Sequence, residues 1–242
     1  MEDLYTKETH HIGINDVDYM GRYQLCHLFN QFSLLATTNA EKLGMWNVDM
    51  MKKYGWVVAK QTLVLDEPIM LGDNVELSTL VNNGSFVSFP RYYFIYKEGK
   101  QIGHCSSVWT LIDIEKRRMV VPKRIGLHIP QVEHDIKLED PYTIDSPFSL
   151  HFHSERQVLY SDLDINQHMN NTRYIQWALD IIDYRLHKDA YIQEITIHYK
   201  KEIRPNEFIE LYIGHDELCY VVEGRLKDGT VCFEIEMKFK KL

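Results

Sequence analysis

The chain repeats itself faintly, and this repeat limits the fold more than any other feature, because it sets the number of structural units before any motif is read. The first half runs from Asp16-Val17-Asp18 into a stretch from Leu25 to Leu43 in which Leu25, Leu28, Phe29, Phe32, Leu35, Ala36, Ala40 and Leu43 recur at helical spacing, with Gly44 as a stop. The second half runs from Asp162-Leu163-Asp164 into a stretch from Asn171 to Leu186, with Tyr174, Ala178, Ile181, Ile182 and Leu186 on one face. Strand-like segments follow each helix: Trp56 to Leu65 in the first half and Ile192 to Tyr199 in the second. Val75-Glu76-Leu77 then matches Ile209-Glu210-Leu211, and the hairpin signal Glu98-Gly99 matches Asp228-Gly229. The copies lie 146 residues apart at Asp18 and Asp164, 134 at Val75 and Ile209, and 130 at Gly99 and Gly229, as expected if the second copy has shorter loops.

One long helix followed by several antiparallel strands can bury the helix only by curling the sheet around it. The expected class is therefore α+β, with two tandem hotdog domains, each a long helix wrapped by a curved antiparallel sheet. The boundaries expected are 1–130 for the first hotdog, 131–150 for a linker rich in proline and acids, and 151–242 for the second. Two such units in one chain would mimic the dimer that single-copy proteins form, sheets joined side by side; a homodimer of the whole chain stays open. A single continuous α+β domain with chance self-similarity is the competing reading.

Bulk properties narrow the function. With 45% hydrophobic and 26% charged residues and no apolar run near the roughly 20 residues of a membrane span, no spanning role is expected. The start, Met1 to Glu8, has neither the apolar core of a secretory signal nor the acid-poor character of a transit peptide, so a cytoplasmic or already mature protein is expected. A formal net charge of −8 argues against nucleic-acid binding, which needs a broad basic surface. Cys26, Cys105, Cys219 and Cys232 are scattered, which supports neither a disulfide framework nor a structural zinc, and no cofactor is expected. The pair His10-His11 reads as a strand-edge or surface pair, since no third ligand accompanies it at metal spacing.

The two copies differ most just before their helices. The second reads Ser161-Asp162-Leu163-Asp164-Ile165-Asn166-Gln167-His168-Met169-Asn170-Asn171, while Asn15 to Arg22 in the first lacks the Asn and the His, which implies one active site per chain. Asp, Asn and His could supply the base and the donors needed to attack a carbonyl and hold its oxygen, helped by the N–H groups of the helix that follows. The same residue types are preferred helix caps, and spacing alone leaves catalysis and capping equally open.

The run Tyr160 to Ile175 resembles the signature of the plant and bacterial acyl-ACP thioesterases, a tandem-hotdog family. The likeness continues at Gly55-Trp56-Val57-Val58, Leu71 to Val75, Ser106-Ser107-Val108-Trp109 and Tyr199-Lys200-Lys201-Glu202, so it spans nearly the whole chain. It implies hydrolysis of fatty acyl-acyl carrier protein to free fatty acid in fatty acid biosynthesis, and a catalytic set at Asp164, Asn166, His168 and Glu202. It also implies a bacterial-type member, an acyl tunnel in the first hotdog, and the acyl carrier protein as partner. Many plant members carry a cysteine after the matching glutamate; Ile203 stands there, which favours a carboxylate-centred mechanism. Tyr160 stands where a Trp is frequent.

Trp46, Met45, Met50 and Met51 could line an acyl pocket or simply pack the core. Lys116, Arg117 and Arg118, with Lys123 and Arg124, and Lys200, Lys201 and Arg204 form basic clusters on an acidic chain; they are either solvated edges or a docking face for an acidic carrier. Acyl-CoA hydrolysis at the same site, a hotdog hydratase or dehydratase, and a non-enzymatic acyl-binding protein are the alternatives. The polar set retained in only the second copy speaks against binding alone.

Overall fold

The computed structural model describes residues 4–134, 136–146, 148–165 and 167–242. Eleven strands form one antiparallel sheet among these residues. The first half supplies β1 (Thr6–His11), β2 (Tyr54–Leu65), β3 (Asn74–Val81), β4 (Phe89–Lys97), β5 (Lys100–Asp113) and the short β6 (Arg118–Met119). The second supplies β7 (His151–Gln157), β8 (Ala190–Tyr199), β9 (Phe208–His215), β10 (Cys219–Arg225) and β11 (Val231–Lys241). The order β1-β3-β4-β5-β2-β8-β11-β10-β9-β7 reads the same from either end once each strand is matched to its repeat, with β6 appended to β5.

The two halves meet at β2 and β8, which pair from Lys60 with His198 to Val64 with Glu194. At the centre of this seam Thr62 faces Thr196, their hydroxyls 2.9 Å apart. These two residues are separated by the same 134 positions that relate Val75 to Ile209, so the repeat read from the sequence is the approximate two-fold of the fold. Both expected hairpin turns are present: Glu98 (φ 51°) and Gly99 (φ 77°) join β4 to β5, and Gly229 (φ 84°) lies between β10 and β11.

Helix α1 (Leu25–Lys42) presents Leu25, Leu28, Phe29, Phe32, Leu35 and Ala36 to the concave side of the sheet, and Phe32 stacks on Tyr93 of β4 with ring centres 4.5 Å apart. Each of these leucine and phenylalanine side chains removed from water contributes roughly 1.5–3 kcal/mol. The Gly44 stop lies where expected, at φ 70° just past the helix.

The second helical stretch differs from the expectation of one long helix. It breaks into α2 (Asn171–Asp180) and α3 (Tyr184–Asp189). Asp183 causes the second start, accepting the Arg185 N–H at 2.9 Å as an N-cap, and a capping side chain at that point competes with helix continuation. Ile182 is buried beside α2 in the main core, while Leu186 is only partly buried.

The segment between the halves is tied to the sheet by specific bonds. Val132 exchanges backbone bonds with the Asn83 side chain at 2.7 and 2.9 Å, and the Tyr142 hydroxyl donates to Glu236 of β11 at 2.5 Å. Among the described residues no helix is long and apolar enough to cross a membrane.

Candidate active site

Each half carries a tight turn before its first helix, built by the same bonds. In the first, the Asp18 N–H donates to the Arg22 carbonyl at 2.8 Å; in the second, the Asp164 N–H donates to the His168 carbonyl at 2.8 Å. The next residue then bonds to the exit of a strand: Tyr23 N–H to the Ile69 carbonyl at 2.8 Å, and Met169 N–H to the Ile203 carbonyl at 3.0 Å. That last bond explains how the site assembles, because pairing Met169 with Ile203 sets the preceding residues, His168 and Glu202, side by side. At the matching places the first half has Arg22 and Pro68. Arg22 is buried and donates from Nη1 to the carbonyls of His187 and Ala190, each at 2.6 Å, a role in holding the fold.

His168 Nε2 lies 3.7 Å from Glu202 Oε2. Asp164 belongs to the same turn, its Oδ1 accepting the His168 N–H at 3.3 Å. Asn166 lies outside the described residues. A third group, expected from the sequence either at a solvated edge or on a carrier-docking face, enters from the first half: Arg117 ion-pairs with Glu202 Oε2 through Nη1 and meets His168 Nε2 through Nη2 at 2.7 Å. Burial first, and then the Arg117 charge, hold the His168 imidazole below its ordinary pKa, so that the neutral ring is favoured.

These residues line a cavity of about 380 Å³ together with Gly55, Trp56, Ile114, Asn171, Tyr174 and Tyr199. A second, mainly apolar cavity of about 300 Å³ lies in the first half under α1, lined by Ala36, Ala40, Met45, Trp46, Met51 and Phe89, among others. Gly55, Trp56 and Ile114 line both, so the two cavities share a wall. The turn before α2 also borders both, Asp164 on one side and Ile165 on the other. Of the four residues expected either at an acyl pocket or in the core, Met45, Trp46 and Met51 line this apolar cavity, whereas Met50 is not among the lining residues. Met50 opens a short 3-10 turn (Met50–Lys52), and Met51, the next residue, lines the cavity while staying partly exposed.

Two further expectations change. The helix N–H groups read as oxyanion donors are partly committed: the Thr172 N–H donates to the Asn170 side chain at 2.9 Å and the Arg173 N–H to the Asn170 carbonyl at 2.9 Å. Ile203 is fully buried in the main core while Glu202 faces the cavity, so any side chain in the orientation of Ile203 points away from the site. His10 and His11 sit on β1 against Glu8 and Asn74, and among the described residues no group of three His, Cys, Asp or Glu side chains is placed to hold a metal.

Nothing in the sequence distinguished Arg117 from its neighbours Lys116 and Arg118. Its inward course depends on the turn between β5 and β6, where the buried Asp113 accepts the Lys116 N–H at 2.8 Å through Oδ1 and the Arg117 N–H at 2.8 Å through its carbonyl.

Two family profiles cover this architecture half by half. The acyl-ACP thioesterase N-terminal domain matches residues 3–125, and the acyl-ACP thioesterase C-terminal domain matches residues 147–241. The chain belongs to the acyl-ACP thioesterase family. A chloroplastic acyl-[acyl-carrier-protein] hydrolase of Cuphea viscosissima is 25% identical over 209 residues, covering 78% of this chain and 50% of that protein. The chain thus spans about half the length of the curated relatives it matches. An acyl-ACP thioesterase from Bacteroides thetaiotaomicron superposes with a TM-score of 0.86 at 23% identity, covering 99% of both chains. The 12:0-ACP thioesterase of Umbellularia californica superposes with a TM-score of 0.80 at 17% identity, covering 99% of this chain and 98% of that one. These superpositions establish the shared tandem-hotdog fold.

Proposed function

We propose that this member of the acyl-ACP thioesterase family hydrolyses the thioester of fatty acyl-acyl carrier protein, with catalysis in the second hotdog and the acyl chain held in the first. The observation that carries the reading is the pair of cavities with a common wall. One holds a histidine and a carboxylate 3.7 Å apart, and the other is an apolar chamber of the kind that binds a chain of methylenes. A binding protein would need the chamber and no such dyad.

In this mechanism a water molecule beside Glu202 gives its proton to the carboxylate as its oxygen attacks the thioester carbonyl carbon. Asn166 and nearby N–H groups hold the oxygen that gains negative charge. The proton passes from Glu202 to the neutral His168 at Nε2 and then to the departing thiolate as the carbon–sulfur bond breaks. Asp164 fixes the turn. No cysteine of the chain acts as nucleophile, in keeping with the buried Ile203 at the position after Glu202. The outer cations Lys116, Arg118, Lys201 and Arg204, with Lys200, would meet the acidic carrier. Lys200 already has a partner in Glu234, at 2.5 Å.

Glu202→Gln and His168→Ala test the proposal in a hydrolysis assay. Each is expected to lower kcat by about 100-fold or more, and turnover near that of the unmodified protein in either would sink the assignment. Charge reversal at Arg118, which does not line the cavity, is expected to raise KM for acyl-ACP and spare a short thioester surrogate; matched acyl-ACP and acyl-CoA rates then separate the two carriers. The reading carries a cytoplasmic location, which fractionation of the source cells tests.

A further inference from the structure

Arg117 is the one contact through which the first half touches both members of the proposed dyad, as far as the described residues show. Its backbone occupies the left-handed region at φ 53°, where a residue with a Cβ is disfavoured by roughly 1–2 kcal/mol and glycine would be the easier choice. The turn accepts that cost at the residue whose guanidinium reaches both groups.

The chemistry of the contact fixes the state of the histidine. A guanidinium has five N–H donors and no acceptor, so the 2.7 Å contact from Arg117 Nη2 requires a lone pair on His168 Nε2. The imidazole is then neutral with its proton on Nδ1. The same guanidinium holds Glu202 Oε2, the oxygen nearest Nε2. Other charges around His168 act in both directions: Asp164 on its own turn favours the protonated ring, Arg204 beyond Glu202 opposes it, and Lys200 and Lys201 line the same cavity.

We propose that Arg117 is a positioning residue of the thioesterase site, which aligns Glu202 with His168 and keeps Nε2 free of a proton until one arrives from the reaction. The inference rests on the proposed hydrolytic reading and adds a residue from the opposite half to it. It also separates Arg117 from the carrier-docking cations beside it in sequence.

The test uses the full chain with Arg117→Met and Arg117→Lys, each assayed on acyl-ACP and on a short thioester surrogate. Nitrogen-15 NMR of the histidine rings runs alongside. In R117M, kcat is expected to fall about tenfold or more on both substrates with KM little changed. His168 should titrate at higher pH, lose its fixed Nδ1–H tautomer, and move the acid limb of kcat/KM with it. R117K keeps the charge without the fork, so it should restore the titration towards that of the unmodified protein while recovering only part of kcat. Unchanged kcat in R117M overturns the proposal, and so does a rise in KM confined to acyl-ACP, which would return Arg117 to the docking surface. An unchanged His168 titration and tautomer overturns it as well. If R117M does not fold, R117K with Arg117→Gln supplies the same readouts. Should His168→Ala and Glu202→Gln prove active, the hydrolytic reading fails, whereas the NMR titration still judges the contact.

Discussion

Gly55 stands on the wall shared by the cavity of His168 and Glu202 and the apolar cavity under α1, and under the proposed function enlarging it should shorten the acyl chain that is accepted. It lies near the start of β2, paired with Ile112 of β5. A Cβ built there would lie 3.6 Å from Ile114 Cγ1 and 3.7 Å from its Cδ1, ordinary van der Waals contact, so alanine fits. Leucine adds three more carbons, and with Ile114 already in contact they must extend into the passage. An acyl chain reaching from Glu202 to Met45 and Phe89 would then lose burial for the methylenes beyond the block. At about 0.8 kcal/mol per buried methylene, four lost methylenes amount to about 3 kcal/mol. That is about 200-fold in kcat/KM, with one decade for each 1.36 kcal/mol. The assay is kcat/KM over a series of saturated acyl-ACPs of increasing length. Gly55→Leu should leave the shortest substrates within about threefold of the unmodified protein and depress the longest by two orders of magnitude, while Gly55→Ala leaves the profile unchanged. A leucine variant with an unaltered circular dichroism spectrum and an unaltered ratio of long-chain to short-chain rates would refute the idea that the two cavities form one path.

Two further outcomes concern stability. Asn170 caps α2 directly after the Asp164–His168 turn, accepting both the N–H of Thr172 at 2.9 Å and its hydroxyl at 2.8 Å; Asn170→Ala should cost about 1 kcal/mol, a fall in Tm of about 2–4 °C for a chain of this size, read by calorimetry. Burial is the leading cause that holds His104, His168, His187 and His198 below the ordinary histidine pKa. The unfolded chain therefore takes up protons at higher pH than the folded one, and stability should fall as pH drops below about 6.5 through the lower folded values. Urea unfolding at neutral and mildly acid pH checks the sign, and His198→Gln should flatten the slope.

The repeat, the first helix, the paired strand segments and both hairpin turns were legible in the sequence because they depend on local periodicity and turn chemistry. The asymmetry of the two pre-helix turns was legible too, since Asn15 to Arg22 can be laid directly against Ser161 to His168. Spacing alone left the second turn divided between catalysis and capping. The structure makes Asn170 the cap and leaves His168, two positions earlier, in the cavity beside Glu202. The break at Asp183 was missed, because its capping bond to Arg185 competes with helix continuation in a way that the apolar spacing of Ile182 and Leu186 conceals.

What the chain order determined by itself was the pairing of two like units and the polar difference between them. Glu202 was reached through family resemblance rather than periodicity, and the tertiary structure supplies the physical link: the bond from Met169 N–H to the Ile203 carbonyl brings two residues 34 positions apart into contact distance. Arg117 could be assigned only by the fold. Lys116, Arg117 and Arg118 are equivalent as a run of cations, and only the Asp113 turn, with a left-handed backbone at one of them, turns a single guanidinium inward to Glu202 and His168. Charge is written in the sequence, but the direction in which a side chain points is set by hydrogen bonds to the backbone formed within each half, from Met169 to Ile203 in the second and to Asp113 in the first.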